Sequence, residues 1–79
     1  MYWYIYLLKG KDGTFYKGIT NNLDRKLSQH KSGQNLTTKN MGGFSLIHVE
    51  ICRSRVEARN LEKFFKSGFG REVLKELFS

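Results

Sequence analysis

Tyr4-Ile5-Tyr6-Leu7-Leu8, followed by Lys9-Gly10-Lys11-Asp12-Gly13 and then Thr14-Phe15-Tyr16-Lys17-Gly18-Ile19, is the stretch on which the fold turns. The segment from Tyr2 to Leu8 is rich in aromatic residues and reads as a strand. Asp12-Gly13 inside a short polar run is a strong hairpin signal. Thr14 to Ile19 is then the returning strand. Taking Lys9–Gly13 as the loop sets Leu8 opposite Thr14 and Tyr6 opposite Tyr16. Directly opposed residues share one sheet face with Cβ atoms roughly 4.5–5.5 Å apart, so this register places two phenols side by side.

The rest of the chain reads outward from that hairpin. Asn21 or Asn22 caps a helix running to about Ser32, and Gly33 stops it. Leu23, Leu27 and His30 share one stripe of this helix. Gln34 to Gly43 is a polar loop. Phe44 to Cys52 alternates as a third strand, with Ser45, Ile47, Val49 and Ile51 on one face. Ser54-Arg55-Val56-Glu57 is a capping box that opens a helix to about Ser67. Its Ala58, Leu61, Phe64 and Phe65 point inward, and Gly68 ends it. A last helix from Arg71 to Leu77 buries Val73, Leu74 and Leu77. The order predicts an α/β domain: a small three-stranded sheet flanked by helices and containing an antiparallel hairpin.

The chain has 79 residues, which is the length of one domain, 1–79. Eleven aromatic residues supply large apolar area to a short chain. The single cysteine, Cys52, cannot form an internal disulfide and has no companions for a zinc site. A reducing, cytoplasmic compartment fits. The apolar opening segment stops at Lys9, too soon for a signal peptide or a membrane span. Fourteen Lys and Arg against seven Asp and Glu give a formal charge of +7. A small basic domain attracts a polyanion, because counterions released from phosphates drive association. The cations are spread along the chain, whereas a membrane-surface helix would gather them on one polar face.

Seven scattered carboxylates do not make the acidic cluster that a two-metal nuclease requires. A single Mg²⁺ needs less, since it keeps several waters and binds substrate phosphate through one or two carboxylates. Glu62 is the candidate ligand; its ordinary alternative is a surface glutamate paired with Arg59 or Lys66. Tyr6 and Tyr16 read either as a cross-strand aromatic pair or as hydroxyls that move or orient a proton. Arg25 lies in the first turn of its helix, where a cation opposes the helix dipole, and a guanidinium there suits phosphate. His30 reads as a packed histidine, or as a proton donor or phosphate contact. Lys31, Lys39, Arg53 and Lys66 are candidate phosphate contacts. Lys17 points to the face opposite Tyr16 by alternation and so reads away from the chemistry.

Tyr4-Ile5-Tyr6, Tyr16-Lys17-Gly18-Ile19-Thr20, Arg25, His30 and the segment from Glu57-Ala58 through Glu62-Lys63 to Lys66-Ser67-Gly68-Phe69-Gly70-Arg71 together resemble the GIY-YIG nuclease superfamily. The chain is most similar to its short single-domain members, which are related to the nuclease module of the excinuclease of DNA repair. The resemblance spans nearly the whole chain. Tyrosine stands at the glycine of the first motif, and lysine at the middle isoleucine of the second. It implies a three-stranded antiparallel sheet flanked by helices. It also implies divalent-metal-dependent cleavage of nucleic acid, with Glu62 holding Mg²⁺ (Mn²⁺ as a substitute) and Tyr6, Tyr16, Arg25 and His30 lining the site. DNA is the expected polymer, with a partner protein as one possible source of targeting. Two readings stand beside this one: a binding module of the same fold without the chemistry, and a small RNA-binding accessory protein whose tyrosines stack on bases.

Overall fold

The computed structural model describes residues 1–34, 39 and 42–78. Most of the expected Gln34–Gly43 loop therefore lies outside the described residues. Three strands, β1 (Trp3–Gly10), β2 (Phe15–Thr20) and β3 (Phe44–Cys52), form one antiparallel sheet in the order β2-β1-β3. Helix α1 (Leu23–Lys31) follows β2, while α2 (Arg55–Lys66) and α3 (Gly68–Phe78) follow β3. The expected α/β architecture is the one observed.

The hairpin register differs from the sequence expectation by two residues. Tyr6 lies opposite Gly18, and Leu8 lies opposite Tyr16. The cause is a tighter turn. Gly10 accepts from the Gly13 amide at 3.0 Å and its own amide donates to the Thr14 carbonyl at 2.9 Å, which leaves Lys11, Asp12 and Gly13 as the loop. Gly13 sits at φ +86°, a conformation that glycine adopts without the steric cost of a side chain. The Asp12 carboxylate accepts from the Thr14 amide and hydroxyl at 3.1 and 2.6 Å, and these bonds hold its pKa below the ordinary range. A shift of two residues preserves the faces, so both tyrosines stay on one side of the sheet.

That side carries Tyr4, Tyr6, Leu8, Tyr16 and Gly18 and meets α1 through the buried His30. The other side packs on α2, where Ile5, Cys52 and Ala58 form a fully buried cluster bordered by Trp3, Ile19, Leu61 and Phe65. In β3 the alternation expected from sequence is broken. Leu7 pairs with His48 but Leu8 pairs with Leu46, so Ile47 is an extra residue. Phe44 and Leu46 thereby join the face of Val49 and Ile51, and Ser45 joins that of His48.

Asn22 caps α1, accepting from the Arg25 amide at 3.1 Å, and Ser54 caps α2, accepting from the Glu57 amide at 3.1 Å. The last helix starts at Gly68, earlier than the expected Arg71. The missed signal is Ser67, whose hydroxyl donates to the Phe64 carbonyl and accepts from the Gly70 amide, ending one helix and capping the next. Phe64 and Leu77 are exposed rather than inward-facing, at 40% and 67%. Phe64 instead packs edge-on against Phe65 and Phe69.

Gly70 lies where α3 presses on the end of α2, and a Cβ added there would meet the Phe64 carbonyl oxygen at 2.0 Å. Backbone cannot yield as a side chain can. Gly70→Ala is expected to lower stability by about 1–3 kcal/mol, the usual range for overpacking, as read by urea unfolding. Gly68→Ala, with open space at its Cβ position, is the control and should be near neutral or stabilising.

Candidate active site

The sheet presents the two tyrosines on one face and packs α2 on the other, so a meeting with Glu62 requires passage around the β2 edge. Gly18 provides it. The Tyr6 ring lies directly on this glycine, and a Cβ there would be 2.4 Å from both the Tyr6 Cζ and hydroxyl oxygen. β2 is an edge strand, so the Tyr6 hydroxyl reaches the border where α2 comes round from the other side. There a cleft of about 450 Å³ is lined by Tyr6, Tyr16, Gly18, Lys26, Glu62 and Lys66, together with Phe15, Lys17 and Ile19.

Within this group the Tyr6 hydroxyl and His30 Nε2 share a 2.9 Å hydrogen bond. Their rings meet edge-on, and Tyr16 stacks edge-on against His30 with centroids 5.0 Å apart. The Tyr6 and Tyr16 rings are 6.2 Å apart and tilted by 35°. Burial above all, then the neighbouring Tyr16 and the charge of Glu62, push the Tyr6 pKa far above the ordinary phenol value. Tyr6 therefore keeps its proton and serves as a fixed hydroxyl. Burial, and secondarily Lys26, hold the His30 pKa below the usual imidazole value, so His30 is neutral at pH 7. Glu62, with its side chain only 22% exposed, faces the Lys66 ammonium at 3.4 Å. Among the described residues there is no cluster of three or more His, Cys, Asp and Glu that could hold a metal. Among those same residues Glu62 is the one carboxylate lining the cleft, a donor set suited to a hard cation that retains water and takes phosphate oxygens.

Of the residues singled out from sequence, Tyr6, Tyr16, Glu62 and Lys66 line the cleft, and His30 backs it. Arg25 is exposed on α1 and does not line it. Lys31, Lys39 and Arg53 are exposed elsewhere. Sequence reading missed Lys26 and Lys17. Lys26 is one turn before His30, and that i,i+4 spacing was the available signal. Lys17 was excluded by alternation, which takes no account of a cleft that wraps the edge of the sheet.

A family model for the GIY-YIG catalytic domain matches residues 2–75. The chain belongs to the GIY-YIG family. As a GIY-YIG chain it is similar to a UPF0213 protein of Nitratidesulfovibrio vulgaris, 39% identical over 61 residues, a match covering 76% of this chain and 56% of the relative. It is also 34% identical to the UPF0213 protein CPE1444 of Clostridium perfringens over 64 residues, covering 80% and 69%. The solution structure of the UPF0213 protein BH0048 from Bacillus halodurans shares the fold, with a TM-score of 0.60 and 34% identity over 99% of this chain and 86% of that one. The chain spans 56% of the length of the Nitratidesulfovibrio vulgaris relative and 60% of the UPF0213 protein DP2720 of Desulfotalea psychrophila. GIY-YIG nucleases generally use divalent metals. Among the described residues no helix is long and apolar enough to cross a membrane.

Two outcomes follow for the site. Gly18→Ala should cost about 1–3 kcal/mol, and much less in a Tyr6→Leu background, because the clash is with the Tyr6 side chain. Additive losses in urea unfolding would contradict the contact. His30, with its folded-state pKa depressed, contributes stability that is complete above the ordinary histidine pKa of about 6.5 and lost as pH falls below it. Melting temperature should therefore fall from about pH 7.5 to about pH 5, and His30→Gln should flatten that fall.

Proposed function

We propose that this protein is a divalent-metal-dependent endonuclease that hydrolyses phosphodiester bonds, with DNA as its polymer. The observation that carries this reading is the gathering of Tyr16, Tyr6, Lys26 and Glu62 around one cleft at the β2 edge. Glu62 would hold Mg²⁺ or Mn²⁺. The ion, when bound, supplies Lewis-acid polarisation of the scissile phosphate and neutralises charge on the departing oxygen.

The remaining work belongs to the side chains. Tyr16 is less enclosed than Tyr6; its hydroxyl would orient the attacking water and, as a phenolate whose own proton has gone to solvent, would take the proton of that water. Tyr6 cannot do so while burial holds its proton; its hydroxyl shares a hydrogen bond with His30 and stays fixed at the cleft. His30 acts as a positioning residue, neutral and packed against both phenols. Lys26 supplies positive charge to the phosphate oxygens as negative charge builds in the transition state. Arg25, one residue away and exposed, contributes to the long-range attraction of the polyanion and to contacts outside the cleft. Lys66 partners Glu62 at the cleft and would lend its positive charge to a substrate phosphate.

Plasmid nicking and cleavage of labelled flap and four-way-junction substrates test this reading. Cutting should require Mg²⁺ or Mn²⁺ and cease in EDTA. Glu62→Gln should lower the rate at least a hundredfold, and Lys26→Gln about ten- to a hundredfold, while Arg25→Gln should cost less than Lys26→Gln. Glu62→Gln cutting at the wild-type rate would refute the assignment.

A further inference from the structure

A second groove of about 450 Å³ adjoins the cleft. It is lined by Lys9, Lys17, Arg71 and Lys75 beside Thr14 and Phe15, and among the described residues no acidic one lines it. Phe15 and Lys17 belong to both depressions, so the groove continues the cleft between the β1–β2 turn and α3. Arg71 is fixed where it stands, donating from Nε and Nη2 to the Lys66 carbonyl at 3.2 and 3.1 Å. Its guanidinium thus satisfies a carbonyl at the end of α2 and holds a cation beside Lys17 and Lys66. Burial, then the charges of Arg71 and Lys66, hold the Lys17 pKa below the ordinary lysine value.

Two acids pair with cations along this path: Glu62, 3.4 Å from Lys66, and Glu72, 3.7 Å from Lys75 on the exposed side of α3. Lys9 donates to the Phe78 carbonyl at 2.6 Å and lies 5.9 Å from the centre of the Phe15 ring. Cations gathered in this way repel one another and oppose folding. A row of phosphates reverses the sign of that interaction, and Phe15 offers an aromatic surface to a base or sugar between them.

We propose that this groove is the track for the phosphodiester backbone of the nucleic-acid strand on one side of the scissile bond, with Lys17, Arg71 and Lys75 as its phosphate contacts. The direction of the track rests on the nuclease reading of the cleft; the binding itself does not. A strand whose scissile phosphate lies between Tyr16 and Glu62 passes Lys17 first, then Arg71, then Lys75.

The test is fluorescence anisotropy with a fluorescein-labelled single strand of about 15 nucleotides in EDTA, so that no cutting occurs, over a range of salt. For single strands the slope of log affinity against log salt changes by about 0.7 per phosphate contact. Lys17→Gln with Lys75→Gln should reduce that slope by about 1.4, and Lys75→Gln alone by about 0.7. Lys75 has a side chain 66% exposed, so its replacement leaves the core intact. Lys63→Gln, on α2 and lining neither depression, should leave the slope unchanged. A wild-type slope in the Lys75 and double variants, or an equal loss in Lys63→Gln, overturns the track. Slopes that fall as expected in a protein that never cleaves with Mg²⁺ would keep the track and remove the nuclease reading. Cleavage with unchanged slopes would do the reverse.

Discussion

The contact of the Tyr6 ring with Gly18 is the constraint on which the rest depends. A sheet separates its two faces, and side chains on one face do not ordinarily meet a helix packed on the other. Here an edge strand carries a glycine where every other residue would raise a wall. The phenol lies across it, and its hydroxyl arrives at the border beside Glu62 of α2. The glycine of the second motif is thus a matter of volume and not of backbone conformation, since its φ is not positive.

The same arrangement gives two chemically identical groups different surroundings. Tyr6 is buried against Gly18 and bonded to His30, and it holds its proton. Tyr16 is half-buried at the cleft wall. Two titratable groups set in different surroundings can divide acid–base and positioning work between them. Around them lies a cationic border that rises from the cleft through Lys17 and Arg71 to Lys75. The charge that composition reports as a total of +7 is in part concentrated along one path.

Much of this was legible in the chain. The hairpin, the asparagine and serine that cap α1 and α2, and the phenol–carboxylate set follow from turn chemistry, capping and motif order. The register was not legible, because five polar residues admit either a five-residue loop or a three-residue turn with a glycine bulge; the hydrogen bonds that Gly10 donates to Thr14 and accepts from Gly13 decide between them. The β3 bulge at Ile47 was hidden for a related reason, since alternation counts residues and a bulge adds one. The start of α3 was masked by two glycines, which read as a stop although Ser67 caps a helix through them. Lys26 and Lys17 escape any reading of strand and helix faces as flat layers, because the cleft curves around the β2 edge.

The convergence of Tyr16 and Glu62 on one reacting phosphate is tested most directly by single-turnover cleavage in a double-mutant cycle. The rates to compare are those of wild type, Tyr16→Phe, Glu62→Gln and the double variant, with saturating Mg²⁺ and excess protein. Residues acting as one unit predict large single losses and a double variant no slower than the slower single one. Losses that multiply, or either single variant cutting at the wild-type rate, would contradict a shared site.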